Sequence, residues 1–101
     1  MKGPLGVRIE KRASREAERI DRWWRENRPA APTMFVDELK GALGVIVSAP
    51  TIAPRAVGAR REGVRRFVLQ RTRYALYYVV VDDVLSVLAI WHCSRGSEPT
   101  L

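Results

Sequence analysis

Gly63-Val64-Arg65-Arg66-Phe67-Val68-Leu69, Tyr74-Ala75-Leu76-Tyr77-Tyr78-Val79-Val80-Val81 and Val84-Leu85-Ser86-Val87-Leu88-Ala89-Ile90-Trp91-His92 follow one another with only short breaks. All three runs are rich in β-branched and aromatic residues, which favour strands. Arg71-Thr72-Arg73 joins the first run to the second. Asp82-Asp83 joins the second to the third and reads as a tight hairpin turn. The second half of the chain is therefore a three-strand antiparallel meander. It begins with paired arginines and ends in Trp91-His92, with Arg95 just beyond.

Upstream of the meander the hydrophobic period is helical. Ala13, Ala17, Ile20 and Trp24 fall at i, i+4, i+7 and i+11, one apolar stripe, and charged residues fill the other faces. Ser14 is read as the N-cap of this helix. Asn27-Arg28-Pro29 ends it, because the residue before proline is pushed out of the α region. Pro32 suits a first helical position, and Phe35, Leu39, Ala42 and Ile46 repeat the same stripe. Two matching stripes with a short Pro-rich link predict an αα-hairpin. Gly41 and Gly44 lie on the second helix, where they either admit a close backbone approach or weaken the helix end. Residues 49–63 form the one true loop region, and Val7 to Lys11 alternates as a short strand. The order is β-α-α-β-β-β: an α+β domain with a helical hairpin packed on a mostly antiparallel, twisted sheet. One domain spans 1–101, with Met1 to Gly6 and Gly96 to Leu101 expected to be flexible.

Net charge is +7, and all but three of the 18 basic residues are arginine. Arginine pairs bidentately with carboxylate or phosphate, so this surface points to an acidic partner: nucleic acid or an acidic protein segment. The plain alternative is that arginine is simply the soluble charge this chain uses. Cys93 is the only cysteine, which excludes an intramolecular disulfide and a Cys-based zinc site and fits a reducing cytoplasm. The first ten residues hold no continuous apolar stretch, and Tyr74 to Val81 is too short to span a bilayer. A cytoplasmic protein with no membrane role, no metal and no cofactor is expected.

None of the common phosphate-loop, hydrolase, zinc-protease or dithiol motifs occurs. His92 and Cys93 are neighbours on a strand and point to opposite faces, so they do not make a nucleophile pair. His92 is the one side chain whose ordinary pKa, about 6.5, suits proton transfer near neutrality. With Arg66 and Arg95 it would form a catalytic set for RNA cleavage by 2′-hydroxyl attack, the arginines stabilising the charged phosphorane. The plainer role for His92 is packing beside Trp91. Arg65 and Arg66 face opposite ways; the one aimed near the core either pairs with Asp37 or Glu38 or serves a site. Tyr74, Tyr77 and Tyr78 are core residues or stacking platforms. Trp23 lies about 100° round the helix from Trp24 and is a candidate interface anchor. Arg60, Arg61, Arg65 and Arg73 complete the candidate binding residues.

The chain resembles the RelE/ParE superfamily of type II toxin–antitoxin toxins. The likeness covers roughly Val7 to Arg95 and rests on the element order and four segments: Ala17-Glu18-Arg19-Ile20-Asp21-Arg22-Trp23-Trp24 with Asn27-Arg28-Pro29, then Gly63 to Leu69, Tyr74 to Val80, and Val87 to His92 followed by Arg95. The resemblance implies a toxin neutralised in a hetero-oligomer by a cognate antitoxin with an acidic, partly disordered segment. It also implies one of two targets. ParE-like members poison DNA gyrase; RelE-like members cleave mRNA on the ribosome with a metal-free basic site. Arg66 (or Arg65), His92 and Arg95 match cleavage positions of some ribosome-dependent members. No lysine follows Lys40 and no tyrosine follows the last strand, both departures from the cleaving pattern. The hydrophobic-His strand end followed by arginine is more similar to the ParE branch. A nucleic-acid binder without toxicity is the third reading, from charge alone.

Overall fold

The computed structural model describes residues 5–96 and 99–101. Six elements follow in the expected order: β1 (Gly6–Ile9), α1 (Lys11–Asn27), α2 (Met34–Ser48), β2 (Arg65–Val68), β3 (Tyr74–Val81) and β4 (Val84–His92). The strands form one sheet in the order β1-β4-β3-β2. The meander is antiparallel, and β1 joins at its far edge, parallel to β4.

α1 starts four residues before the position expected from Ser14. Glu10, in extended conformation, is the N-cap, and Ser14 already donates its N–H to the Glu10 carbonyl. The chain passes from β1 into the helix with one residue between them, so β1 is shorter than the alternation from Val7 to Lys11 suggested. Arg28, before Pro29, closes the helix. Pro32 likewise precedes α2 rather than opening it; Thr33 is the N-cap, and its hydroxyl bonds Asp37 instead of a backbone N–H. The α2 stripe Phe35, Leu39, Ala42 and Ile46 is buried as the spacing demands.

Both helices cover one face of the sheet. Ile20, Phe35 and Ile46 pack there with Leu69, Leu76, Tyr78, Leu85, Val87 and Ile90. The Phe35 ring meets Tyr74 edge-on at 5.3 Å. The other face carries a second, smaller cluster of Val64, Ala75, Tyr77, Val79, Leu88 and Ala89. It is covered by Ala56 and Ala59 of the long loop and by Leu101. The chain end is therefore not loose at its last residues: the Leu101 carbonyl accepts the N–H of Arg60 at 2.8 Å, and Arg12 Nη1 donates to the Thr100 carbonyl at 3.2 Å. Pro99 is buried, and Gly6 is already in β1. Residues 1–4 and 97–98, where flexibility was also expected, lie outside the described residues.

Asp82 and Asp83 both adopt left-handed backbone, φ 52° and 61°, the pair a primed two-residue hairpin requires. Arg73, φ 65°, turns the chain between β2 and β3. That turn is held by Glu38 of α2. Its carboxylate accepts the N–H of Arg71 at 2.7 Å, the N–H of Thr72 at 2.9 Å and the Thr72 hydroxyl at 2.7 Å. Burial alone would push the Glu38 carboxyl up, but these donors and the Arg71 charge outweigh it and hold it below its ordinary 4.5. A lowered carboxylate stabilises the fold above the unfolded pKa and loses that contribution as pH falls through the folded one. Glu38→Gln is therefore expected to be less stable than the parent near neutral pH. The gap should close in acid well below 4.5, as urea unfolding at the two pH values would show.

A Cβ built on Gly41 or Gly44 meets nothing within 4 Å, so neither glycine serves a close approach. They only weaken the helix. Gly44→Ala should raise stability by about 1 kcal/mol, read as a higher melting temperature.

Candidate functional site

β4 is irregular at one place, and that place decides which side chains share a face. Tyr77 pairs with Ala89, but Tyr78 pairs with Val87, so Leu88 is an extra residue bulged out of the ladder. Leu88 and Ala89 both join the second-face cluster. From there the alternation resumes one step out of phase: Ile90 packs toward the helices, while Trp91 and Cys93 pack on the open face.

His92 consequently sits on the helix side. Its ring meets Tyr74 edge-on at 4.9 Å. Nδ1 accepts the Ser94 N–H at 3.1 Å and lies 2.6 Å from Ser94 Oγ. With Nδ1 accepting, the neutral ring carries its proton on Nε2. Arg66 lies on the other face. Its Nε donates to the Tyr77 hydroxyl at 3.1 Å and its Nη2 approaches Cys93 Sγ at 3.8 Å. The expected set of Arg66, His92 and Arg95 is thus divided by the sheet. Arg66 and Arg95 are on the open face, and the imidazole is not.

What the open face does assemble is a basic, aromatic surface. Arg95 stacks on Trp91 with its guanidinium carbon 3.7 Å from the ring centroid, and Arg12 of α1 lies 5.8 Å from the same ring. A guanidinium flat on an indole holds its charge at the surface with its in-plane donors exposed to a partner. The Trp91 indole is itself fixed. Its N–H donates to Glu16 Oε2 at 2.9 Å, and the other carboxylate oxygen, Oε1, accepts the Ile90 N–H at 2.9 Å. β1 covers the edge of β4 only as far as Val87, whose carbonyl takes the Glu10 N–H. Beyond it, Glu16 supplies the acceptor that a longer strand would have given. This carboxylate is 7% exposed, on the buried side of α1 and not on the polar faces where the charged residues are expected. Its signal was present: Ala13, Glu16 and Ile20 fall at i, i+3 and i+7, the same face of the helix.

The other candidate residues are dispersed. Arg65 faces the helix side but makes no ion pair with Asp37 or Glu38; its Nη1 donates to the carbonyls of Ala53 at 2.6 Å and Thr51 at 3.4 Å and pins the long loop. Arg60 and Arg61 hold Leu101 through their backbone, and their side chains are exposed. Arg73 donates to Gln70 Oε1 at 3.4 Å in the β2–β3 turn. Trp23 is 45% exposed on α1, meets Trp24 edge-on at 5.7 Å and carries Arg28 at 5.7 Å. It is available to a partner, away from the open face. The tyrosines are core. Tyr77 and Tyr78 are buried, burial pushes the Tyr78 phenol up, and its hydroxyl donates to the Pro50 carbonyl at 2.7 Å. Tyr74 is half-buried, with its ring edge-on to Phe35 and to His92. Among the described residues no group of three metal-ligating side chains occurs, and no helix is long and apolar enough to cross a membrane.

Residues 7–96 match the family described as the ParE toxin of type II toxin–antitoxin systems, parDE. The chain belongs to the ParE toxin family. It is thus a toxin of the type II toxin–antitoxin class and a member of the RelE/ParE superfamily. Solved structures share its fold. A chain of the chromosomal ParDE system of P. aeruginosa is 15% identical with a TM-score of 0.68, covering 87% of this chain and 95% of that one. The intact E. coli RelBE toxin–antitoxin complex gives 22% identity and a TM-score of 0.62 over 90% and 99%. The RelBE2 complex of Mycobacterium tuberculosis gives 21% and 0.61 over 89% and 99%. No curated protein matches the sequence significantly. At these identities the structures speak for the fold: two helices on a four-stranded mixed sheet.

Proposed function

We propose that this ParE-family toxin arrests growth by binding DNA gyrase, and that a cognate antitoxin with an acidic segment neutralises it in a toxin–antitoxin hetero-oligomer. The observation that carries the reading is the separation of His92 from Arg66. General acid–base catalysis needs the proton-transfer group within hydrogen-bond reach of the same phosphate that the arginines stabilise. Here the imidazole is packed on Tyr74 with its Nδ1 engaged by Ser94, across the sheet from both open-face arginines. A face of arginines on aromatic rings, with the imidazole on the opposite side of the sheet, suits tight contact better than turnover. Electrostatic complementarity with an acidic antitoxin follows from the +7 charge.

The second reading, a ribosome-dependent mRNA endoribonuclease, draws on the same face, because Arg66, Trp91 and Arg95 also suit a phosphate and a base. A supercoiling assay separates the two. Purified toxin should inhibit gyrase in proportion to its concentration, and antitoxin should reverse it. Unimpaired supercoiling, with mRNA cut in a translating extract, would favour the nuclease.

A further inference from the structure

α1 carries Arg15, Arg19 and Arg22 at i, i+4 and i+7, one stripe of the helix, and all three are exposed. Arg15 with Arg19, and Arg19 with Arg22, are like-charged neighbours that an isolated helix does not favour. The helix has carboxylates to quench them and uses two of these elsewhere. Glu16 turns inward to Ile90 and Trp91, and Asp21 holds Arg25. Glu18 and Glu26 stand four residues either side of Arg22. Among the described residues the three stripe arginines nevertheless form no ion pair.

Arg12, one turn before Arg15, extends the stripe but is engaged. Its Nε lies 3.6 Å from Glu16 Oε2, its Nη1 donates to the Thr100 carbonyl at 3.2 Å, and its guanidinium lies over Trp91. Through Trp91 and Arg95 it joins the stripe to the open face, round the part of β4 that β1 leaves uncovered.

The stripe is linear, regular and polar. The apolar residues of α1 pack inward, except Trp23 at its far end, 45% exposed under Arg28. A protein interface needs an apolar core, and single-stranded nucleic acid needs rings among the charges on which bases stack. Neither lies between Arg15 and Arg22. A duplex backbone needs only charge at a suitable spacing. At 1.5 Å per residue the three arginines span about 10 Å, over which one strand of B-form DNA presents about three phosphates.

We propose that Arg15, Arg19 and Arg22 bind the phosphate backbone of duplex DNA. Such contacts are independent of base sequence. On the gyrase reading, on which this placement rests, the duplex is the one the enzyme holds, so the toxin meets protein with its open face and DNA with α1.

The test is titration of two short duplexes of unrelated sequence onto the purified toxin over a series of salt concentrations. Arg15→Gln, Arg19→Gln and Arg22→Gln together should lower affinity for both about tenfold or more at fixed salt. The slope of log affinity against log salt should shrink by about two to three. Lysine at the same three positions should restore both, because neutralising a phosphate needs only the charge. Lys40→Gln, Arg55→Gln and Arg71→Gln together remove as many charges from exposed positions off α1 and should leave the slope unchanged. Circular dichroism confirms that each variant is folded. Parent-like binding in the stripe variant would overturn the proposal. So would equal losses in stripe and control variants, which would leave only net charge. Duplex RNA held more tightly than DNA through the stripe would also overturn it and give α1 to the ribosomal reading. The duplex arm contains no gyrase. A toxin that grips DNA through the stripe yet leaves supercoiling untouched would defeat the gyrase reading alone, whereas one that inhibits supercoiling but binds no duplex would defeat the stripe alone.

Discussion

Replacing Glu16 with alanine is expected to destabilise the protein by about 3 kcal/mol, because two buried donors lose a charged acceptor at once. For a domain of this size that lowers the melting temperature by roughly 10–20 °C. The donors are the Ile90 N–H and the Trp91 indole N–H, both at 2.9 Å, and no strand is there to replace the carboxylate. Glu16→Gln should fall between parent and alanine, since one amide oxygen accepts only part of what two carboxylate oxygens did. The damage should also reach the open face: with its indole N–H released, Trp91 no longer holds Arg12 and Arg95 in register. Thermal unfolding and growth arrest measured on the two variants check both halves. A melting temperature unchanged in Glu16→Ala would mean that this carboxylate is not what closes the free part of β4.

The second large effect is functional. Arg66→Ala combined with Arg95→Ala should abolish growth arrest while leaving the fold intact. Each guanidinium offers a charge-assisted contact of about 1.5–3 kcal/mol, so losing both weakens target binding by roughly two orders of magnitude or more. Arg95 is exposed and Arg66 half-buried, and neither lies in the helix-side core. The check is plating efficiency on induction, with circular dichroism to confirm folding. Full toxicity in the double variant would move the target surface elsewhere, with Trp23 the next residue to replace.

Much of this architecture was legible in the chain. β3 and β4 begin and end where the apolar runs do, the Asp82-Asp83 turn is the primed hairpin its residues favour, and the α2 stripe is the buried one. Those features are local: a period, a turn dipeptide, a proline. What was hidden is not local. The Leu88 bulge has no residue signature of its own in an unbroken apolar run, yet it shifts His92 to the face opposite Arg66 and separates the expected catalytic trio. Glu16 is an ordinary helix glutamate until the shortness of β1 leaves Ile90 in need of an acceptor. The docked chain end depends on loop carbonyls and amides that no side-chain pattern encodes. Which of Arg65 and Arg66 faces the core, and whether it pairs with a carboxylate or serves a site, stays open in the sequence; Arg65 is the one, and it binds main-chain carbonyls of the loop. Resemblance of segments supplied the family; the division of the basic residues between two faces came only with the fold.

The most direct test of the account is to induce the wild-type toxin and His92→Gln in parallel, mapping RNA ends and the DNA-damage response in the same cultures. The account predicts equal arrest in both, with a gyrase-linked damage response and intact mRNA. Fresh cuts at ribosome-bound codons that appear with the wild type and vanish with His92→Gln would contradict it.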